Sequence, residues 1–492
     1  MKNKFKKTLN YKFLLFLGLI TLASGCESFI ETDPPSNRLN GLNVFKRNET
    51  AIAAVTELYG KLVSGATGNI VNNVSLQAGL SADELTLFNS VNDLTHLSAY
   101  KNNFRASQAG TYGGAIWTTL YQYILSANSS IEGLESSDSL YPIVKNQLLG
   151  ECYFVRSFCF FYLTTLYGDV PLALTSDPNI NNNLKRSSKD DVYSQMISDL
   201  KLAKQLLSSS YVNRDMLPYS SNAERIRPNR GAANALLARV YLFWGGHDIE
   251  AEAAATEVIN QTELYELQPL NNVFLKNSKE AIWQLQPIRT GRNTDNGFMF
   301  ILPSTGPNAT AGINGNPVYL SNSLLNSFEP GDARSSIGMW VNRTILPNGT
   351  VYNYPYKYKV KAVSAVTEYE MVLRLGEQYL IRAEARAKQG NLTGANSAAS
   401  DLNIIRARAG LPATTATSQL SLYEAILNER RTELFAEWGH RWLDIKRSGK
   451  IDQIMNIATT EKLSTWRNFQ KYYPIPFADI QYSRALVQNE GY

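Results

Sequence analysis

The residues most able to do chemistry are few. The chain has three histidines, His96, His247 and His440, and none stands at metal-ligand spacing from another His, Cys or acid. There is no G-x-S-x-G elbow and no Walker-type phosphate loop. Asp83 and Glu84 are adjacent, but adjacent side chains point apart on a helix or a strand, so they need not face one substrate. A hydrolase using two distant carboxylates leaves no fixed spacing and stays the enzymatic alternative. Binding is better supported, and no enzyme is expected. Two stretches, 64–111 and 264–369, mix aromatic, amide and charged residues. The first holds Asp83, Phe88, His96, Tyr100, Asn102 and Phe104; the second holds Arg292, Phe300, Tyr319 and Trp340. Sugars present apolar C–H faces edged by hydroxyls. Aromatic rings match the faces, with a polar edge in Tyr and Trp. Asn, Asp and Arg supply directional bonds to the hydroxyls. These ten are the candidate ligand residues, although each one taken singly reads more plainly as a loop side chain tucked onto a scaffold. His440 is read as structural and His247 as a solvent-facing turn residue.

These residues need a scaffold, and helices supply it. Asn48 to Leu62 is a first helix. Trp117, Tyr121, Ile124 and Ile131 form one stripe, and Trp117 is assigned to the core. Pro142 opens a helix at the position where a missing N–H costs nothing. Val144, Leu148, Cys152, Val155, Cys159 and Leu163 continue its stripe, while Phe154, Phe158 and Phe161 load the other side, so its second half should be buried all round. Cys152 and Cys159 lie about 10 Å apart along that helix, too far for a disulfide. Further helices are expected over 190–207 and 228–244. Gly246 followed by Ala251, and Gly390 followed by Ala395, resemble degenerate tetratricopeptide hairpins, with Gly at the turn and a small residue in the next helix. Residues 64–111 read as mainly loop with short helices. Residues 264–369 read as an irregular insertion with short strands at Ala281–Pro287, which carries Trp283 as core, and at Val351–Val360. Leu420 to Gly439 reads as a helix with Ser421 and Glu424 as its capping box, Arg430 paired with Glu433 or Glu437, and Gly439 as its end. The predicted fold class is mainly α: helical hairpins in a curved scaffold, carrying loop-rich insertions with short strands.

The net charge of +5 resides in the first 25 residues, where Lys2, Lys4, Lys6, Lys7 and Lys12 lie and no acid does. The remainder is neutral overall, which gives no basis for binding nucleic acid. The Lys-rich start, the apolar run from Phe13 to Ala23 and the sequence Leu22-Ala23-Ser24-Gly25-Cys26 read as a lipoprotein signal peptide over 1–25, with Cys26 acylated. Residues 26–40, with Pro34 and Pro35, form a tether. Residues 41–492 form a single domain. The chain is then anchored to a membrane and not threaded through it. No cofactor or metal is expected, although loop oxygens that hold Ca²⁺ leave no fixed spacing.

The segment ERRTELFAEWGHRWLDIKRSG (Glu429–Gly449) resembles the C-terminal motif of SusD/RagB-like proteins, the surface nutrient-binding lipoproteins of Bacteroidetes-type bacteria. VRSFCFFYLTTLYGDVPL from Val155, EQYLIRAEARAKQGN from Glu377, LNIIRARAGLP from Leu402 and YYPIPFADIQYSRALVQNEGY at the end are also similar to that family, in family order. The resemblance implies a cell-surface, outer-membrane lipoprotein. It would capture an oligosaccharide, commonly, and deliver it to a SusC-like TonB-dependent transporter. A peptide ligand on the same fold and a protein-binding helical-repeat scaffold are the alternatives. The likeness is weakest in the two loop-rich stretches, so it says least about the ligand.

Overall fold

A computed structural model describes residues 44–64, 70–105, 114–310, 315–363 and 365–492. The expected signal peptide, Cys26 and the tether lie outside these residues. Phe45–Tyr492 forms one unit.

The chain opens with α1 (Asn48–Ser64) and α2 (Ile70–Ser81), then β1 (Leu85–Leu87) and α3 (Leu94–Tyr100). The expectation of mainly loop over 64–111 is therefore corrected, since α2 alone is 12 residues long. Its sequence hides it because every residue from Val74 to Ser81 is buried, polar ones included. Ser75 Oγ accepts from the Trp438 N–H at 3.0 Å, and Ser81 Oγ lies 3.0 Å from the Tyr473 hydroxyl. A helix whose polar residues are satisfied by distant partners shows no apolar stripe.

The helices α4 (Gly114–Glu135) and α5 (Pro142–Tyr167) follow. Pro142 stands at the start of α5 as expected, and every residue from Gln147 to Tyr167 is buried. Cys152 and Cys159 are free and buried within it. Arg156 on α5 is held inside the protein by Asp199, at 2.7 and 2.8 Å, and by Asn128 at 2.9 Å. The short β2 (Val170–Pro171), α6 (Pro178–Asn181) and β3 (Arg186–Ser187) lead into α7 (Lys189–Leu206), α8 (Arg230–Trp244) and α9 (Asp248–Ile259). The first expected hairpin is α8–α9. It turns at Gly245 and Gly246, both at positive φ, and buries Ala251. His247 lies in the turn as read from sequence, part of its ring open to solvent and part covered. Its ring stacks on Trp244 at 4.2 Å.

The insertion holds β4 (Ala281–Leu285), α10 (Asp295–Phe300), β5 (Val318–Leu320), α11 (Asn322–Leu325), β6 (Val341–Ile345), β7 (Val351–Pro355) and β8 (Glu370–Arg374). These strands pair antiparallel in twos: β1 with β5, β4 with β8, and β6 with β7. β4 is buried along its whole length and brings Trp283 against Phe154 and Phe158 of α5, so the insertion shares the helical core.

The chain closes with α12 (Leu375–Lys388), α13 (Ala398–Arg408), α14 (Gln419–Glu433), α15 (His440–Arg447), α16 (Ile451–Glu461) and α17 (Phe477–Tyr482). The hairpin α12–α13 turns at Gly390 as expected, but Ala395 is exposed before α13 begins. Ala398 is the small residue buried in that helix. Contacts run in series from α4 through α5, α7, α8, α9 and α12 to α13 and α14, which is a tetratricopeptide-like helical scaffold.

Three details of the C-terminal segment depart from the sequence reading. Ser418 caps α14 with Ser421 as its reciprocal partner, so the box lies one turn earlier than expected, and Glu424 instead pairs with Lys450. The helix ends at Glu433. Gly439, at φ 72°, caps the start of α15 instead of closing α14, and a Cβ there would meet the Ala78 Cβ at 2.5 Å. Arg430 pairs with Asp444 at 2.8 Å and with neither expected glutamate. Those two serve a larger buried network. Arg374 reaches Glu433 at 2.5 Å, Glu437 at 2.9 Å and Glu280 at 3.1 Å. Arg334 reaches Glu429 at 2.6 Å and Glu433 at 2.9 Å, and Lys357 reaches Glu437 at 2.5 Å. Burial works against the Glu433 charge, but Arg408, Arg374 and Arg334 outweigh it and hold the carboxyl well below its usual range.

Candidate functional site

Two of the shortest strands bring the two loop-rich stretches together. β1 and β5 pair Thr86 with Tyr319, and the Phe88 N–H extends the ladder to the Pro317 carbonyl at 2.8 Å. Residues two apart on a strand share a face, so Thr86 and Phe88 point the same way. Tyr352 of β7 completes the group. Its ring lies 5.0 Å from Tyr319 and 6.2 Å from Phe88, both edge to face. Tyr100, the last residue of α3, reaches the Thr86 hydroxyl and lies close to Tyr319. Burial, with Tyr319 next to it, pushes its hydroxyl up to about 12, so it remains a neutral donor. The Lys462 ammonium sits 5.1 Å above the Tyr100 ring. All four rings are half-buried, while Asn89 and Asn92 beside them are exposed. Half-buried tyrosines offer a flat apolar surface edged with donors and acceptors.

The other candidates do different work. Asp83 is buried. Its carboxylate takes Arg441 at 2.7 and 2.9 Å, Arg431 at 2.8 Å and Ser323 at 3.1 Å, while its carbonyl accepts from Ser321 at 2.6 Å. Burial opposes its charge, yet Arg441 and Arg431 prevail and hold it well below the usual carboxylate range. Asp83 thus locks β1 and β5 to the C-terminal helices. His96 is buried and bonded to Asp93, which caps α3. Asn102 is buried at φ 50° and donates to the Ser81 carbonyl at 3.1 Å. Phe104 packs 4.8 Å from Tyr473. Phe300 is buried, and Trp340 is buried completely, with its indole N–H on the Leu270 carbonyl at 2.9 Å and Lys357 4.7 Å from its ring. Arg292 lies over Phe298 at 3.6 Å and pairs with Asp295 at 3.6 Å. The expectation that Asp83, His96, Asn102, Phe104, Phe300 and Trp340 form a ligand surface is corrected: each is enclosed by protein and engaged there. Phe88, Tyr100 and Tyr319 do come together. Tyr352 was missed by the sequence reading. The signal for it was the run Tyr352, Tyr354, Tyr356, Tyr358, with an aromatic at every second position.

Among the described residues no group of His, Cys, Asp and Glu could hold a metal ion, and no helix is long and apolar enough to cross a membrane. His440 is buried. Burial, with Arg239 and Arg430 next in effect, keeps its imidazole neutral by lowering its proton affinity far below the ordinary value.

The architecture is that of a helical-hairpin scaffold bearing a strand-borne aromatic patch. Residues 36–242 match the family described as "Starch-binding associating with outer membrane", and residues 330–492 match the one described as "SusD family". The chain belongs to the SusD/RagB-like family. It is 23% identical over 544 residues to SusD-like protein P25 of Formosa agariphila, covering 97% of this chain and 98% of that one. A SusD superfamily protein from Parabacteroides distasonis shares the fold with a TM-score of 0.75 at 22% identity, over 92% of this chain and 100% of that one. A solved structure described as a laminarin-binding SusD-like protein matches with a TM-score of 0.68 at 22% identity, over 90% and 99%.

Proposed function

We propose that this protein captures an oligosaccharide or polysaccharide at the cell surface and delivers it to a SusC-like TonB-dependent transporter. Acylated Cys26 holds it on the outer membrane, and capture proceeds without chemistry in this chain. The observation that carries the reading is the β1–β5 pairing, which gathers Phe88, Tyr100, Tyr319 and Tyr352 from distant parts of the sequence into one half-buried aromatic group. A family description that names starch binding and the outer membrane, and a structural neighbour described as laminarin-binding, support a glycan as the ligand class. Aromatic faces stack on sugar C–H surfaces, while the tyrosine hydroxyls and the neighbouring Asn89 and Asn92 bond to hydroxyls.

Affinity electrophoresis of the full chain through gels containing soluble polysaccharides tests this. One polymer should retard it, and Tyr319→Ala and Tyr352→Ala should each weaken the retardation, by about tenfold in affinity. If no polymer retards the chain while a peptide mixture binds it, the glycan reading fails.

A further inference from the structure

A second recess lies on other elements: the first residue of α7, the end of α8, α15 and the turn before Tyr472. Its volume is about 460 Å³, within the usual size of small-molecule sites, about 300–1,000 Å³. Three lysines surround one ring there. The ammonium groups of Lys189, Lys446 and Lys471 lie 5.8, 5.6 and 5.7 Å from the centroid of Tyr472.

The other charges at the recess are already engaged. Arg447 pairs with Glu384 and Asp444, and Lys388 with Glu384 at 3.1 Å. The Asp452 carboxylate takes the Trp466 indole at 2.7 Å and Asn468 at 2.8 Å, while Asp190 takes the Trp244 indole at 2.8 Å. The three lysines bond only neutral groups among the described residues: Lys189 the Tyr472 hydroxyl at 3.5 Å, Lys446 the Thr165 carbonyl, and Lys471 Asn468 at 3.0 Å. Burial lowers the proton affinity of Lys446, and its two lysine neighbours lower it further. Asp452, bonded only by neutral donors among the described residues, is a counter-charge, but the lysines of the recess outnumber it, and the excess focuses a positive potential that an anion relieves.

We propose that this recess binds an oxyanion carried on a monosaccharide-sized molecule, with Lys189, Lys446 and Lys471 as donors and Tyr472 beneath. Ammonium groups act as point charges toward sulfate, phosphate and carboxylate oxygens. The half-buried Trp244, whose ring stacks with Tyr193 at 5.8 Å and His247 at 4.2 Å, adds an apolar edge for the body of the ligand. No residue is shared with the aromatic patch, so this site stands whether or not that patch binds glycan.

Isothermal titration of the full chain in detergent micelles with inorganic sulfate, glucose 6-sulfate, glucuronate and neutral glucose tests it. At least one of the three anions should bind saturably, more weakly as salt rises, and glucose should not bind here. Lys189→Gln and Lys471→Gln, both at the mouth, should each weaken the anion about tenfold, the scale of one charge-assisted hydrogen bond. Tyr352→Ala should leave it unchanged. Sulfate binding as tightly as glucose 6-sulfate assigns the free ion as the ligand; tighter binding of either sugar anion assigns the carried group. Absence of binding by all three anions, or unchanged affinity in both lysine variants, overturns the proposal.

Discussion

Two sets of buried glutamates, one in the C-terminal scaffold and one in the insertion, carry their charge in opposite ways. In the scaffold, Glu433, Glu437 and Glu384 are buried beside arginines, and each carboxyl is held below its usual range although burial opposes its charge. In the insertion, Glu368 and Glu370 are enclosed mainly by neutral groups. Burial dominates there and pushes them up to about 7 and about 8. The scaffold thus fixes its helices with ion pairs that reach into the insertion at Glu280, Arg334 and Lys357, while Glu368 and Glu370 sit in a part of the insertion held by aromatic packing and hydrogen bonds. A surface that must hold a neutral ligand suits the second arrangement, in which Tyr319 and Tyr352 pack against each other at 5.0 Å.

Breaking the scaffold network should produce the largest effect. Glu433→Ala strands Arg374, Arg334 and Arg408 around an empty position and should cost about 3–5 kcal/mol in urea unfolding. A loss below 1 kcal/mol would mean that the network is dispensable. Asp83→Ala tests the join between the two regions, because Arg431 and Arg441 lose their shared carboxylate. It should lower stability by about 2–3 kcal/mol and weaken glycan retardation as well, whereas a binding loss without a stability loss would make Asp83 a ligand contact after all.

Substitution in the patch should separate binding from folding. Tyr352→Ala and Tyr319→Ala should each weaken the glycan about tenfold, or about 1.4 kcal/mol, with little change in the unfolding midpoint. Trp340→Phe should do the reverse, since that ring is enclosed by Lys357, Arg374 and Arg408 and not by solvent.

The finest comparison is a pH slope. Glu370 binds its proton more tightly in the folded chain than in the unfolded one, where its value is about 4.5. The folded state therefore carries the extra proton between about 4.5 and 8, and its stability falls as pH rises through that window, no more steeply than about 1.4 kcal/mol per pH unit for this group. Glu433 has the opposite sign: its stabilisation is present above about 4.5 and is lost as pH falls below that value. Chemical denaturation across pH should show Glu370→Gln flattening the neutral limb and leaving the acid limb in place.

The sequence made the scaffold legible because an amphipathic helix repeats its signal over many residues. The stripe from Val144 to Leu163 and the turns at Gly246 and Gly390 all had direct structural counterparts. α2 stayed hidden, since Ser75 and Ser81 are satisfied by Trp438 and Tyr473, far along the chain. The candidate site was legible as composition and not as geometry. Strands of three residues have too few positions to show alternation, so nothing local announced that Thr86 faces Tyr319. Trp340 shows the converse: a tryptophan in an irregular stretch looks available, but a distant cluster of cations encloses it.

The contact between Asp83 and Ser321 spans 238 positions, and that between Asp83 and Arg441 spans 358. Closing such loops is slow and entropically costly compared with forming a helical hairpin. Late assembly of the aromatic group is therefore the expected order, with the helical hairpins forming first. A molecule with its helices formed but these links unmade would look native by helical content and still lack the patch. If the patch is the glycan site, ligand retardation should be a stricter measure of a finished molecule than circular dichroism, and the fraction of a preparation that is retarded should track how much of it has completed that final closure.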